Sequence, residues 1–258
     1  MSGTLSKTRD GVRAPFREMF RADWREALFI HFRVDAARLQ RTVPLKLDVR
    51  DGQAYVSLVA FTQARLRPAV GGRFSEWLSK PLASHGFLNV RTYVRRGEER
   101  GIYFLSEWIP NALAVLVGPR LYGLPYQWAE LNYASDGTGC LTREVACAEG
   151  RFSCTATVDT EAPYRPSEPG SEAAFLLERY TAFTFRRGVL RRFRIRHQPW
   201  QQQAARVAMG ARGLVEAWAG GKPCAAHFSQ GAEDVAIGWV ERVTDDDEAR
   251  ASNVNARG

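Results

Sequence analysis

In FLNVRTYVRR (87–96), Asn89, Arg91 and Tyr93 stand two residues apart, with Val90, Thr92 and Val94 between them. On a strand, that spacing puts the three polar side chains on one face and the three β-branched ones on the other. If the valine face packs against helices, the Asn-Arg-Tyr face lines an interior; the reverse assignment is equally open. An arginine on an apolar interior wall would anchor an anion, because its planar fork matches a carboxylate. The competing reading pairs Arg91 with a structural acid such as Glu107 across a hairpin.

Tyr126 follows Pro125 in GPRLYGLPYQW (118–128). Its hydroxyl would serve a substrate carbonyl or enolate as an oxyanion donor or weak acid, or it is a core tyrosine with a satisfied hydroxyl. His197 precedes Gln198-Pro199-Trp200, where the proline forces an extended bend and Trp200 supplies an apolar wall. A histidine there is a general base near neutral pH, or it makes a structural hydrogen bond. His31 and Glu107 are further candidates with the same two readings.

Strand-like segments must position these residues. EALFIHFRV (26–34) has the character of a buried strand, with order expected from about Trp24. DAARLQRTV (35–43) reads as a short helix capped by Asp35. Strands are expected at 54–66, 87–96 and 101–109, the last two joined by a hairpin-length turn. PNALAVLVGPRLYG (110–123) reads as a helix with Pro110 at its first position and Ala112, Val115, Leu116 and Leu121 at helical spacing. More strands follow at 126–134, 140–147 and 151–159, then a helix at 171–180 capped by Ser171 or Ser167. Two strands flank Arg187-Gly188, and CAAHFSQG and DVAIGWVERV close the pattern. About ten strands without regular strand–helix alternation predict a mainly antiparallel α+β protein. The organisation expected is an N-terminal arm (1–20), one domain (21–243) and a polar tail (244–258).

Composition narrows the function classes. The 258 residues carry a net charge of +8, but lysine occurs only at 7, 46, 80 and 222, so a nucleophilic amine has four candidates. Cys140, Cys147 and Cys154 fall seven apart, matching no CxxC pair. The four histidines lack metal-ligand spacing, and no GxGxxG, P-loop, HExxH or GxSxG motif is present. No metal and no cofactor are therefore expected. No apolar run approaches the ~18 residues of a membrane span, and a cytoplasmic location without membrane partner is expected. From Leu190 onward, a strand would set Arg192, Arg194 and Arg196 on one face and Arg191, Phe193, Ile195 and His197 on the other. Such a stripe is ordinarily solvated, and with Phe193 turned away from it nucleic-acid or acidic-lipid binding is the weaker alternative.

The segments DAARLQRTVPLKLDV, FLNVRTYV, LAVLVGPRLYGLPYQWAEL, RIRHQPW and AHFSQG together resemble the YqjF-like DUF2071 family, which is similar in turn to acetoacetate decarboxylases. The resemblance covers about 24–243. It implies an acetoacetate-decarboxylase-like fold: an antiparallel sheet curved into a cone-shaped barrel, short helices outside, an apolar cavity inside and possible homo-oligomers. In acetoacetate decarboxylases a Tyr-Pro-Lys-Lys motif supplies a Schiff-base lysine. Here Pro125 matches the proline, Tyr126 and Gln127 take the lysine positions, and Arg120 stands where an acidic residue would be. Neither Tyr126 nor Gln127 forms an imine. The resemblance therefore implies a small-molecule enzyme acting on a carboxylated or carbonyl compound by Schiff-base-independent proton transfer, of lyase, dehydratase or isomerase type. Catalytic roles are expected for Arg91, Tyr126 and His197, and substrate contacts for Asn89, Tyr93, Glu107, Gln127, Trp200 and His31. The alternative is a non-catalytic binder of an apolar metabolite.

Overall fold

The computed structural model describes residues 16–70 and 84–244. Most of the expected arm, the connection over 71–83 and the tail from 245 lie outside the described residues. The strands are β1 (Glu18–Val34), β2 (Lys46–Leu47), β3 (Ala54–Pro68), β4 (His85–Arg96), β5 (Glu99–Ile109), β6 (Tyr126–Trp128), β7 (Glu130–Ser135), β8 (Cys140–Cys147), β9 (Gly150–Thr157), β10 (Thr181–Arg186), β11 (Val189–Arg196), β12 (Gln202–Ala204), β13 (Arg206–Met209), β14 (Ala225–Gly238) and β15 (Glu241–Arg242). The helices are α1 (Ala36–Gln40), α2 (Ala112–Leu121), α3 (Glu172–Leu177) and α4 (Glu216–Ala219).

The fold is α+β and mostly antiparallel. In the main sheet β14, β1, β3, β4, β5, β10 and β11 follow one another, and β11 pairs again with β14. This ring is curved and unevenly closed. Long ladders join β14, β1, β3, β4 and β5, whereas β10 meets β5 only at Ala182↔Ile102 and Phe183↔Tyr103, in parallel, and β11 meets β14 only at Ile195↔Ile237 and Arg196↔Ala236. A second, four-stranded sheet runs β13-β9-β8-β7. The valine face of β4 packs against this second sheet: Leu88, Val90 and Val94 share a core with Leu141, Val145 and Phe152. The partner of that face is thus largely a sheet, not the helices that one of the two open readings supposed.

Several local expectations change. β1 begins at Glu18, ahead of Trp24, because Phe20 already pairs with Pro68 and Ile237. Asp35 does cap α1, accepting from the Arg38 N–H at 2.5 Å. The cap of α2 is Asn111, which accepts from Ala114 N–H at 3.0 Å, so Pro110 lies outside the helix. Its buried residues are Ala114 and Pro119, while Leu113 and Leu116 are exposed. Ser171, not Ser167, caps α3, accepting from the Ala174 N–H. The two last strand signals form one strand, β14, which stays continuous through Gly231 (φ 136) and Asp234 (φ 52). Arg187 and Gly188, both at positive φ, make the two-residue turn between β10 and β11. The arginine stripe of β11 is matched by acids: Arg192 bonds Glu99 at 2.8 Å and Glu241 at 2.8 Å.

Where β1, β3 and β14 are irregular, buried Asp23 holds them together. It accepts from Arg65 of β3 and, at 3.1 Å, from the Asp234 N–H of β14. Burial pushes its carboxyl up, but those hydrogen bonds and the charges of Arg65 and Arg25 outweigh it, leaving the group below its ordinary value. A depressed acid contributes stability above its unfolded pKa of about 4, lost as pH falls through the folded value. Asp23→Ala is expected to cost about 2 kcal/mol, the size of hydrogen bonds to a charged group. Thermal melts should also show a flatter acid limb for the variant than for wild type.

Candidate functional site

Inside the ring, side chains of like parity form layers. Register sets Phe29 beside Val59 and Val59 beside Asn89; Phe61 faces Phe87, and Gln63 faces His85. Together these residues line a cavity of about 180 Å³. The cavity-facing residues of β4 are His85, Phe87, Asn89 and Arg91, so the Asn-Arg face is the inward one. Tyr126, Glu107, His197 and Trp200 line the same space. Of the nine expected site residues, the cavity gathers Asn89, Arg91, Glu107, Tyr126, His197 and Trp200.

His31, Tyr93 and Gln127 are placed elsewhere. His31 and Tyr93 have the inward parity but lie one layer beyond the cavity, where they close its floor. His31 Nε2 meets His227 Nδ1 at 3.1 Å, His31 Nδ1 meets Ser57 Oγ at 2.7 Å, and Ser57 Oγ meets Tyr93 Oη at 2.6 Å. The Tyr93 hydroxyl donates to the Leu176 carbonyl at 2.9 Å, an acceptor that Arg91 Nη2 also approaches, at 3.4 Å. This chain braces the floor and the Leu176 carbonyl under Arg91. Gln127, next to Tyr126 on a strand, has the opposite parity and donates to Ser106 Oγ at 2.7 Å.

The polar atoms of the cavity wall are conspicuously unmatched. His85 Nδ1 and Nε2, Asn89 Oδ1, Arg91 Nε and Glu107 Oε2 are all buried without a hydrogen-bond partner. Buried polar atoms are almost always paired, so five on one wall mark a place prepared for a ligand or ordered water. The Arg91–Glu107 ion pair of the competing reading is not formed. A bulge between Val90 and Arg91 sets Glu107 opposite Asn89 and Arg91 opposite Phe104. The guanidinium instead lies over the Phe29 ring, 5.5 Å from its centroid. Arg179, the second cavity arginine, is neutralised by buried Asp48 at 2.8 Å.

Burial pushes Glu107 well above the usual carboxylate range, and the Arg91 charge pulls it back only in part. Burial, then the neighbouring Glu107, raises Tyr126 far above an ordinary phenol. His197 is lowered, by burial first and by Arg91 as well, against the raising effect of the Gln198 carbonyl. That carbonyl sits 2.6 Å from His197 Nδ1. A carbonyl only accepts, so Nδ1 carries the proton and Nε2 is left as the basic nitrogen.

The turn of 118–128 is built around Tyr126. A Cβ on Gly118 would fall 2.3 Å from Tyr126 Cε2, so only glycine lets α2 lie against that ring. β6 then pairs in parallel with β5, putting Tyr126 beside Glu107. Of the four lysines, Lys46 and Lys222 do not line the cavity, and Lys7 and Lys80 lie outside the described residues. Sequence reasoning missed His85, Arg179 and much of the aromatic lining. Carrying the β4 alternation back two residues from Phe87 finds His85; Arg179 follows α3 in a loop and gives no periodic signal. Among the described residues no group of three or more His, Cys, Asp or Glu could hold a metal, and no helix is long and apolar enough to cross a membrane.

Residues 21–233 match the model of the DUF2071 family, described as an uncharacterized conserved protein. The chain is 30% identical over 211 residues to the uncharacterized protein YqjF of Bacillus subtilis strain 168, covering 77% of this chain and 81% of that protein. Its fold is similar to that of an acetoacetate decarboxylase-like enzyme from Sphingomonas wittichii RW1, with TM-score 0.61 and 17% identity over 88% of this chain and 93% of the other. It is also similar to the enduracididine biosynthesis enzyme MppR complexed with pyruvate, with TM-score 0.60 and 13% identity over 90% and 93% of the two chains.

Two measurements follow from the site's construction. Gly118→Ala should displace the Tyr126 ring and cost about 1–3 kcal/mol, as overpacking does, with a matching change in the near-ultraviolet circular dichroism of the aromatic residues. Burial lowers His85 to about 4. The folded protein therefore takes up this proton later than the unfolded chain, and stability drains away as pH falls from about 6.5 toward that value. His85→Phe should flatten the pH dependence of the melting temperature in that window.

Proposed function

Since the chain belongs to the DUF2071 family, we propose that it is a small-molecule enzyme acting on a carboxylated carbonyl compound by proton transfer without a Schiff base. One observation carries this reading: the unmatched polar wall, where Arg91 is a buried cation with no acid at ion-pair distance among the described residues. A guanidinium keeps its proton, and Glu107, set outside ion-pair distance and pushed by burial toward its neutral form, leaves that charge largely unanswered, so an anionic ligand completes the site. The likeness of the fold to MppR complexed with pyruvate supports a small oxo acid as that ligand.

In this reading Arg91 holds the carboxylate and Asn89 and Glu107 meet its neighbouring polar group. His197 Nε2 takes the proton from the carbon beside the carbonyl, and the electron pair of that bond moves to the carbonyl oxygen. The Tyr126 hydroxyl donates to the resulting enolate. Return of the proton to another atom, or loss of a leaving group, gives an isomerase or lyase outcome. Trp200 walls the His197 side. A second reading, a binder that leaves its ligand unchanged, is favoured by one observation: no described residue lining the cavity is a lysine.

The test is turnover of a panel of oxo and hydroxy acids, with deuterium incorporation beside the carbonyl followed by NMR. Arg91→Met should raise KM roughly 10- to 100-fold, the size of a hydrogen bond between charged groups. Tyr126→Phe and His197→Gln should each lower kcat by about 100-fold or more. Folded variants that match wild type on a turned-over substrate would overturn these roles, and a compound bound tightly yet recovered without deuterium would establish the binder.

A further inference from the structure

Around the cavity, rings run in unbroken succession from the polar wall of β4 to the walls beside it. Tyr126 touches Phe87 at 6.0 Å between centroids, Phe87 stacks on Phe61 at 5.0 Å, and Phe61 meets Trp24 at 5.6 Å. Trp24 stacks on Trp200 at 5.9 Å, and Trp200 meets the edge of Phe29 at 5.2 Å. The Arg91 guanidinium covers the far end of this belt, over Phe29. All six rings line the cavity. Four of them come from β1 and from the paired β3 and β4, so the ladders that close the ring also fix the belt.

We infer that the ligand is an aryl-substituted carboxylate, with its carboxylate at Arg91 and its ring within the belt. This rests on the reading of Arg91 as the anion anchor and adds what fills the rest of the space. The size agrees. A cavity of ~150 Å³ holds benzene, and this one, at about 180 Å³, has room for a ring with a short acid arm. The depths agree as well. Arg91 is the innermost cavity residue of β4, and Phe87, four residues along the strand, lies about 13 Å away at ~3.3 Å per residue. An arm of two or three carbons lets a carboxylate reach Arg91 while the ring lies level with Phe29 and toward Phe87. Faces and edges are both offered, since the Phe61–Phe87 pair is parallel and the Trp200–Phe29 pair perpendicular. Aromatic pairing in either geometry outlasts what apolar area alone gives, so the belt distinguishes a flat ring from a saturated one. A simple oxo acid without a ring would leave most of the belt unfilled.

Calorimetric titration of the full chain with four unreactive probes tests this. Phenylpropionate should bind at least about 30-fold more tightly than propionate, from the added burial of the ring. It should also bind roughly two- to tenfold more tightly than cyclohexylpropionate. Phe61→Leu and Phe87→Leu should each narrow the phenyl-to-cyclohexyl ratio toward one; the wild-type series decides the matter should either variant fail to fold. Equal binding of propionate, equal or tighter binding of cyclohexylpropionate, or no binding of any probe at millimolar concentration would overturn the inference. The fourth probe separates the two layers of the argument. Phenylpropionamide binding as tightly as phenylpropionate would sink the anion anchor while leaving the ring preference intact.

Discussion

Arg91 keeps its positive charge at every pH the protein meets, yet its side chain is buried, on an inner wall of the sheet. Charge out of water is costly unless something answers it. The protein answers in part, with the face of Phe29 and a long hydrogen bond to the Leu176 carbonyl. The rest of the site takes shape around what is withheld. Glu107, the one acid lining the cavity among the described residues, is turned opposite Asn89 by the bulge at Val90/Arg91 and is pushed by burial toward its neutral form. The second arginine, Arg179, is fully answered by Asp48. The two arginines of this single cavity contrast: one is paired with an acid, and the other, in the function proposed here, is left for an anion.

Sheet geometry makes this arrangement durable. β4 is covered on its valine face by the second sheet, and its other face can then only look inward. The floor beneath Arg91 is a hydrogen-bonded layer from His31 through Ser57 to Tyr93, one register step deeper than the cavity. Its polar groups are satisfied among themselves, so the layer ends the cavity without competing for its ligand. Opposite, α2 can lie against Tyr126 because residue 118 has no Cβ. The Gly-x-Pro turn of residues 123–125 delivers the phenol of Tyr126 to the cavity wall.

The strands and the inward parity at Asn89 and Arg91 were legible in the sequence because a two-residue period survives without any knowledge of partners. The same period, however, cannot tell how deep along the axis a side chain lies. Tyr93 and His31 share the correct face and still fall below the cavity, a distinction made by register between strands far apart in sequence. Gln127 was placed by its neighbour's resemblance, and pleating turned it away. Glu107 shares the inward face of Asn89 because of a single inserted residue in β5, which hairpin reasoning does not reveal. His85 was within reach of the alternation, and Arg179 was not, since it follows a short helix and owes its place to Asp48.

An anion site at Arg91 requires Glu107 to be a neutral acid, for only then is the Arg91 charge open to a ligand's carboxylate. Infrared difference spectroscopy of wild type against Glu107→Gln at neutral pH reads this directly. The variant should lose a protonated-carboxyl C=O band. Loss of an ionised-carboxylate band in its place would show that Glu107 already answers Arg91, and the anion site would not exist.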